Sequence, residues 1–154
     1  MAPRTSSVSR RDDESSMSQT FSYARRVEFA ETDLAGFIHF SRYLTYMEET
    51  EYAFLRSIGL DVIMDDAKGQ LGFPRLESHC EYLYPARYGD VIETRLRVAE
   101  NDGKRLTYDF DMRVNEKPVA RGRLVVACCR FLPNRDPYAI VLPDRVLDRL
   151  PLTC

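Results

Sequence analysis

Residues 21–32, "FSYARRVEFAET", alternate aromatic or aliphatic with polar positions, the period of a strand half-buried on one face. Around Ser41 the period changes. Phe40, Tyr43, Leu44, Met47, Phe54, Leu55 and Ile58 recur at spacings of three, four and seven, the signature of one helix face, with Glu51 interrupting it. Ser41 is placed to cap that helix and Gly59 to stop it, which predicts a helix over 42–58. After a loop near "DDAKGQLG", four strand-like segments follow closely, over 74–84, 90–100, 104–114 and 118–131, and "PDRVLDRL" (143–150) predicts a short final helix.

Parity constrains the hairpins, because residues paired across an antiparallel ladder share a face. Ile92, Thr94, Leu96 and Val98 form the apolar face of one segment, and Leu106, Tyr108, Phe110, Met112 and Val114 that of the next. Both sets are even-numbered. A two-residue Asp102-Gly103 loop would pair even with odd, so the expected connection is Asn101-Asp102-Gly103, pairing Glu100 with Lys104, with Gly103 as the left-handed residue. The same reasoning gives an Asn115-Glu116-Lys117 loop, with Asp111 opposite Arg121, Asp109 opposite Arg123, and Arg95 facing Asp109 from the other side. Arg95, Arg97, Arg121 and Arg123 then read as a charged sheet face neutralised across strands, not as a phosphate-binding patch.

These elements imply an α+β arrangement: an antiparallel sheet of about five strands with one apolar face, wrapped around one long helix. The 154 residues fit one domain over 21–154. Residues 1–20, rich in Ser and charge and without an apolar middle, read as a disordered tail in which Met17 is a candidate natural start. No window reaches the run of about 18 apolar residues that a membrane span needs. A formal charge of -2 gives no basic excess for nucleic acid. Cys80, Cys128, Cys129 and Cys154 lack CxxC spacing, as expected of a reducing, cytoplasmic compartment, and no cluster has metal-ligand spacing.

The chemistry is concentrated in "ETDLAGFIHFSRYLTYMEET" (31–50). Within "VEFAETDLAGFIHFSRYLTYMEETEYAFLRSIGL" (27–60) a strand ends in T-D-x-x-G and leads into the long helix. This stretch resembles the segment around the catalytic Asp of the 4-hydroxybenzoyl-CoA thioesterase-like group of hotdog-fold proteins. "YLYPARYGDVIETRLRV" (82–98) resembles that group's Y-x-x-P-x-x-x-G-D motif, and "ARG" (120–122) its last small-residue hairpin pattern. The resemblance implies a hotdog fold and hydrolysis of acyl-CoA or acyl-carrier thioesters. Asp33 would be the nucleophile or general base, the backbone N–H of Phe40 the oxyanion donor, and Gly36 the residue that shapes the turn. It also implies a homodimer or homotetramer with sites between subunits, and no cofactor beyond the coenzyme A of the substrate.

The residues themselves leave Asp33 a second reading, as an Asx turn ahead of Gly36. In some relatives a His or Tyr lies seven residues after the Asp. Here that place is Phe40, and His39 is one residue short of it, about 100° away around a helix. His39 therefore stays a candidate whose role is open. Glu48, Glu49 and Glu51 ride on the helix, where another hotdog branch uses a catalytic Glu, although no motif aligns them with it; an ion-paired or solvated carboxylate is the simpler reading. Tyr43 is expected in the core and His79 on a strand surface, while Arg87 and Arg130 are candidates for the nucleotide portion of coenzyme A. Two rivals remain: an aromatic-acyl thioesterase of the menaquinone-precursor type, whose group tolerates Phe at the seventh place, and a non-catalytic acyl-CoA sensor.

Overall fold

The computed structural model describes residues 19–151. The proposed tail up to residue 18, with Met17, and Cys154 lie outside that range. The chain forms β1 (Thr20–Arg26), a 3-10 turn (Phe29–Glu31), α1 (Arg42–Ser57), β2 (Ile63–Asp66), β3 (Gly69–Gly72), β4 (Arg75–Tyr82), β5 (Val91–Asn101), β6 (Arg105–Val114), β7 (Lys117–Ala127), β8 (Cys129–Phe131), β9 (Tyr138–Ala139) and α2 (Asp144–Leu147). One antiparallel sheet has the order β1-β5-β6-β7-β4, and a second has the order β2-β3-β8-β9.

The second sheet corrects two expectations. The "DDAKGQLG" stretch is a β2–β3 hairpin, and the segment expected as one strand over 118–131 divides at Cys128, with β8 pairing β3. Arg130, buried on β8, donates to both carboxylate oxygens of Asp66 at 2.5 and 3.0 Å and to the Gly69 carbonyl at 2.9 Å. That pair pins the hairpin to β8, so Arg130 is occupied structurally. The first strand is also shorter than expected, because the chain leaves the sheet after Arg26 and turns at Phe29–Glu31.

The apolar faces of β5 and β6 lie as parity requires, with Ile92, Leu96, Leu106, Tyr108 and Met112 buried. The connections that achieve this differ from the expected loops. Asp102 Oδ1 accepts the N–H groups of Lys104 and Arg105 at 2.9 and 2.7 Å, closing a tighter turn around Gly103. A bulge at Ala99 then restores even-to-even pairing, Val98 with Tyr108, and shifts the register so that Arg95 faces Asp111 and Arg97 faces Asp109. In the next hairpin Asn115 and Glu116 both have positive φ (47° and 64°), as a two-residue hairpin turn needs. A bulge at Val119 recovers the expected pairing of Asp111 with Arg121 and Asp109 with Arg123.

The charged face is paired, by a partly different set of partners. Arg97 and Arg123 share Asp109 at 2.6 and 2.7 Å, Arg95 takes Glu93 and Glu116, and Arg113 takes Asp111. Arg121 stands opposite Asp111 in the ladder, yet the ion pair of that carboxylate goes to Arg113.

On α1 the buried face is Tyr43, Tyr46, Met47, Thr50, Glu51, Ala53, Phe54 and Leu55; Phe40 and Leu44, expected on it, are exposed. The helix packs on β1, β4, β5 and β7. Gly122 on β7 permits the close approach, since a Cβ there would overlap the Met47 sulfur. At the carboxyl end Gly59 (φ +76°) makes a Schellman stop: its N–H reaches the Arg56 carbonyl at 3.0 Å and that of Leu60 the Leu55 carbonyl at 2.8 Å. Arg149, just past α2, donates to the Ile58 and Gly59 carbonyls. At the amino end Ser41 does not cap; its backbone is already helical (φ -69°, ψ -20°) and its hydroxyl is turned to His39.

Candidate active site

The loop between the 3-10 turn and α1 is held at its base by the buried Glu31. The Glu31 carboxylate accepts the Tyr46 hydroxyl at 2.7 Å and the Glu28 N–H at 2.9 Å, and pairs with Arg25 at 2.5 Å. Burial pushes this carboxyl up, but those three donors bring it below the ordinary glutamate value. Arg25 also pairs with Glu49 and lies over the Tyr46 ring, so β1, the loop and α1 meet at one charged knot.

From Thr32 the chain makes a narrow excursion. Thr32 bridges Ile38, and the Asp33 N–H donates to the Phe37 carbonyl at 2.8 Å. Gly36, at φ +79°, closes the tip by donating to the Asp33 carbonyl. Asp33 Oδ1 accepts the N–H groups of Ala35 (2.9 Å) and Phe37 (3.2 Å), so the Asx turn is present. Only one carboxylate oxygen is used. Oδ2 has no partner among the described residues, and the side chain is exposed.

The returning chain is tied down by Ile38 N–H to the Ala86 carbonyl and His39 N–H to the Glu31 carbonyl, both at 2.8 Å. Phe40 follows, its N–H without an acceptor among the described residues, directly ahead of α1. Asp33 and Phe40 line one cleft of about 290 Å³ with Phe37, Tyr43, Tyr82, Leu83 and Tyr84 among its walls. Tyr43 is buried, and burial beside Cys80 and Tyr82 pushes its hydroxyl up to about 12, which keeps it protonated and uncharged at neutral pH. The cleft is thus lined by a residue with an open carboxylate oxygen, a residue with a free peptide N–H near the positive end of a 16-residue helix, and aromatic rings.

The family profile described as the thioesterase-like superfamily matches residues 27–145. The chain belongs to that superfamily. A protein of Aquifex aeolicus provisionally named an esterase is 34% identical over 130 residues, 84% of this chain and 97% of the relative. A 1,4-dihydroxy-2-naphthoyl-CoA hydrolase of Synechococcus elongatus is 25% identical over 135 residues, 86% of this chain and 96% of the relative. The crystal structure of a 1,4-dihydroxy-2-naphthoyl-CoA thioesterase from Synechocystis superposes with a TM-score of 0.72 at 24% identity, covering 85% of this chain and 95% of that one, a likeness of hotdog fold.

In this thioesterase-like chain the cleft brings Asp33 and Phe40 together and leaves His39 outside its lining. His39 Nδ1 lies 2.8 Å from Ser41 Oγ and accepts the Ser41 N–H at 3.3 Å, and its ring stacks on that of Phe40 at 4.5 Å. Glu48 is exposed, Glu49 holds Arg25, and Glu51 is fully buried against Arg75 at 2.6 Å, with burial pushing its carboxyl above the ordinary value. His79 is exposed on β4. Arg87 lies 4.6 Å over the ring of Phe37, which lines the Asp33 cleft, so of the two nucleotide candidates it is the one near the site. Among the described residues no group of His, Cys, Asp and Glu could hold a metal ion, and no helix is long and apolar enough to cross a membrane. Sequence reasoning missed Glu31 and Tyr82; the signal for Tyr82 was its place as the first residue of the Y-x-x-P motif.

Proposed function

We propose that this protein hydrolyses acyl-CoA thioesters, with Asp33 as the reacting carboxylate and the Phe40 N–H as the oxyanion donor. The observation that carries this reading is the shared cleft: Asp33, with an unpartnered carboxylate oxygen, and Phe40, with an unpartnered N–H ahead of the helix, line one aromatic-walled space. In the nucleophilic route Oδ2 forms a bond to the carbonyl carbon, and the carbonyl electron pair moves to oxygen, where the N–H meets the developing charge. Collapse expels the coenzyme A thiolate, and water cleaves the mixed anhydride to release the acid and restore Asp33. In the general-base route Asp33 takes a proton from the attacking water and returns it to the thiolate. Neither route uses a metal or an organic cofactor. Gly36 acts through the turn, and His39 at most through the backbone it shares with Phe40.

The aromatic walls, Phe37, Phe40, Tyr43, Tyr82 and Tyr84, favour an aromatic acyl group over a long aliphatic one, in keeping with the naphthoyl-CoA relatives. The proposed unit is a cytoplasmic homodimer or a pair of dimers, the five-stranded sheet curving around α1 in each copy. Supporting this, β4 is an edge strand whose neighbourhood exposes Leu76, Tyr82, Leu83 and Tyr84, the last three on the cleft. Antiparallel pairing of two β4 edges would set each cleft against the opposite subunit. Thiol release from benzoyl-, hydroxybenzoyl- and long-chain acyl-CoAs tests the reading. Turnover led by the aromatic substrates is expected, and tight binding without turnover would make the protein a sensor instead.

A further inference from the structure

The Y-x-x-P motif begins at Tyr82, and its hydroxyl donates to the carbonyl of Phe40 at 3.1 Å across 42 positions of sequence. We infer that Tyr82 is a positioning residue that holds the Phe40 backbone in the orientation an oxyanion donor needs. This inference rests on the acyl-thioesterase reading above.

Phe40 joins two peptides: the one that bears its N–H is held through the His39 carbonyl, which accepts the Arg42 N–H at 2.9 Å, and the one that bears its carbonyl is held by Tyr82. The Phe40 side chain is 65% exposed, so packing does not fix it. Ser41 next to it makes no side-chain cap; its N–H donates to His39 Nδ1, and its hydroxyl lies 2.8 Å from the same nitrogen. Because α1 starts at Arg42, the Phe40 carbonyl precedes the helical ladder, and the donor it receives comes from Tyr82. That hydrogen bond joins the helix start to the end of β4, a strand itself paired along β7. The Tyr82 ring is set by an edge contact with the buried Tyr43 at 5.2 Å. The tether runs from the sheet, through one phenol, to the cleft-lining residue whose N–H is free. An oxyanion donor is effective to the extent that it is aimed before the charge develops, so a freed Phe40 backbone costs rate without costing ground-state binding.

The test is Tyr82→Phe, which removes one oxygen and keeps the ring against Tyr43. Tyr82 is half exposed, so the melting temperature should stay within about 2 °C of wild type. The inference expects kcat to fall on the order of ten-fold, less than the loss of an oxyanion donor outright, with KM within about two-fold. An unchanged kcat overturns it. So does a rise in KM at constant kcat, which would make Tyr82 a substrate contact, or a large fall in melting temperature, which would make its role structural. Wild-type turnover is read in the same assay: its absence overturns the thioesterase reading and this inference with it, whereas wild-type turnover with an unaffected variant overturns this inference alone.

Discussion

One oxygen of Asp33 serves the turn and the other is open, so the Asx turn is present and leaves an oxygen for the proposed chemistry. The residue types were legible because T-D-x-x-G ahead of a helical period is a local pattern. What tied them down was not legible. Glu31 looked like one more charged residue in an alternating strand, and its partners Arg25 and Tyr46 come from β1 and α1. Its carboxyl is held below the ordinary glutamate value in the fold. The unfolded chain therefore binds the proton first as pH falls, and the stabilisation from Glu31 is complete above about pH 4.3 and is lost as pH drops through the lower folded value. Glu51 has the opposite shift and the opposite slope, its burial cost being relieved by acid. Glu31→Gln should cost roughly 1–3 kcal/mol in urea denaturation near neutral pH. It should also lose less stability than wild type between about pH 5 and 3. Parallel acid profiles for the two proteins would contradict the assignment of Glu31.

At the scale of elements, the sequence pattern specified faces better than connections. Even-numbered burial in β5 and β6 followed from period-two alternation, yet both hairpins use a tight turn plus a bulge where a three-residue loop was expected. The two devices have the same parity, so alternation cannot distinguish them; the Asp102 side-chain bonds and the positive φ of Glu116 decide. The β2–β3 hairpin was hidden for another reason. Its third strand, β8, lies some sixty residues away, and the Arg130–Asp66 pair that secures it is non-local. Gly122, by contrast, was visible as a small residue without a visible cause, and the cause is Met47 of α1. Gly122→Val should destabilise by about 1–3 kcal/mol through overpacking, read as a lower urea midpoint at unchanged slope. A variant as stable as wild type would show that the Met47 side chain repacks to make room.

For the whole molecule, the position of the cleft matters more than its volume. It opens beside the edge strand β4, where Leu76, Tyr82, Leu83 and Tyr84 are exposed, and Leu34 and Phe29 stand out from the neighbouring loop. So much apolar surface around the proposed site calls for cover, and in the proposed dimer a second copy would supply it by strand pairing. Light scattering on purified protein should return twice or four times the 17.9 kDa of the chain, and a monomer at micromolar concentration would contradict shared sites. The proposed hydrolysis depends on Asp33. Its most direct test is thiol release from an aromatic acyl-CoA by wild type and by Asp33→Asn, with circular dichroism confirming that both are folded. With Asp33 as the reacting carboxylate, kcat of the variant should fall by about 10²–10⁴-fold with the fold retained. Equal turnover by the folded variant would contradict it.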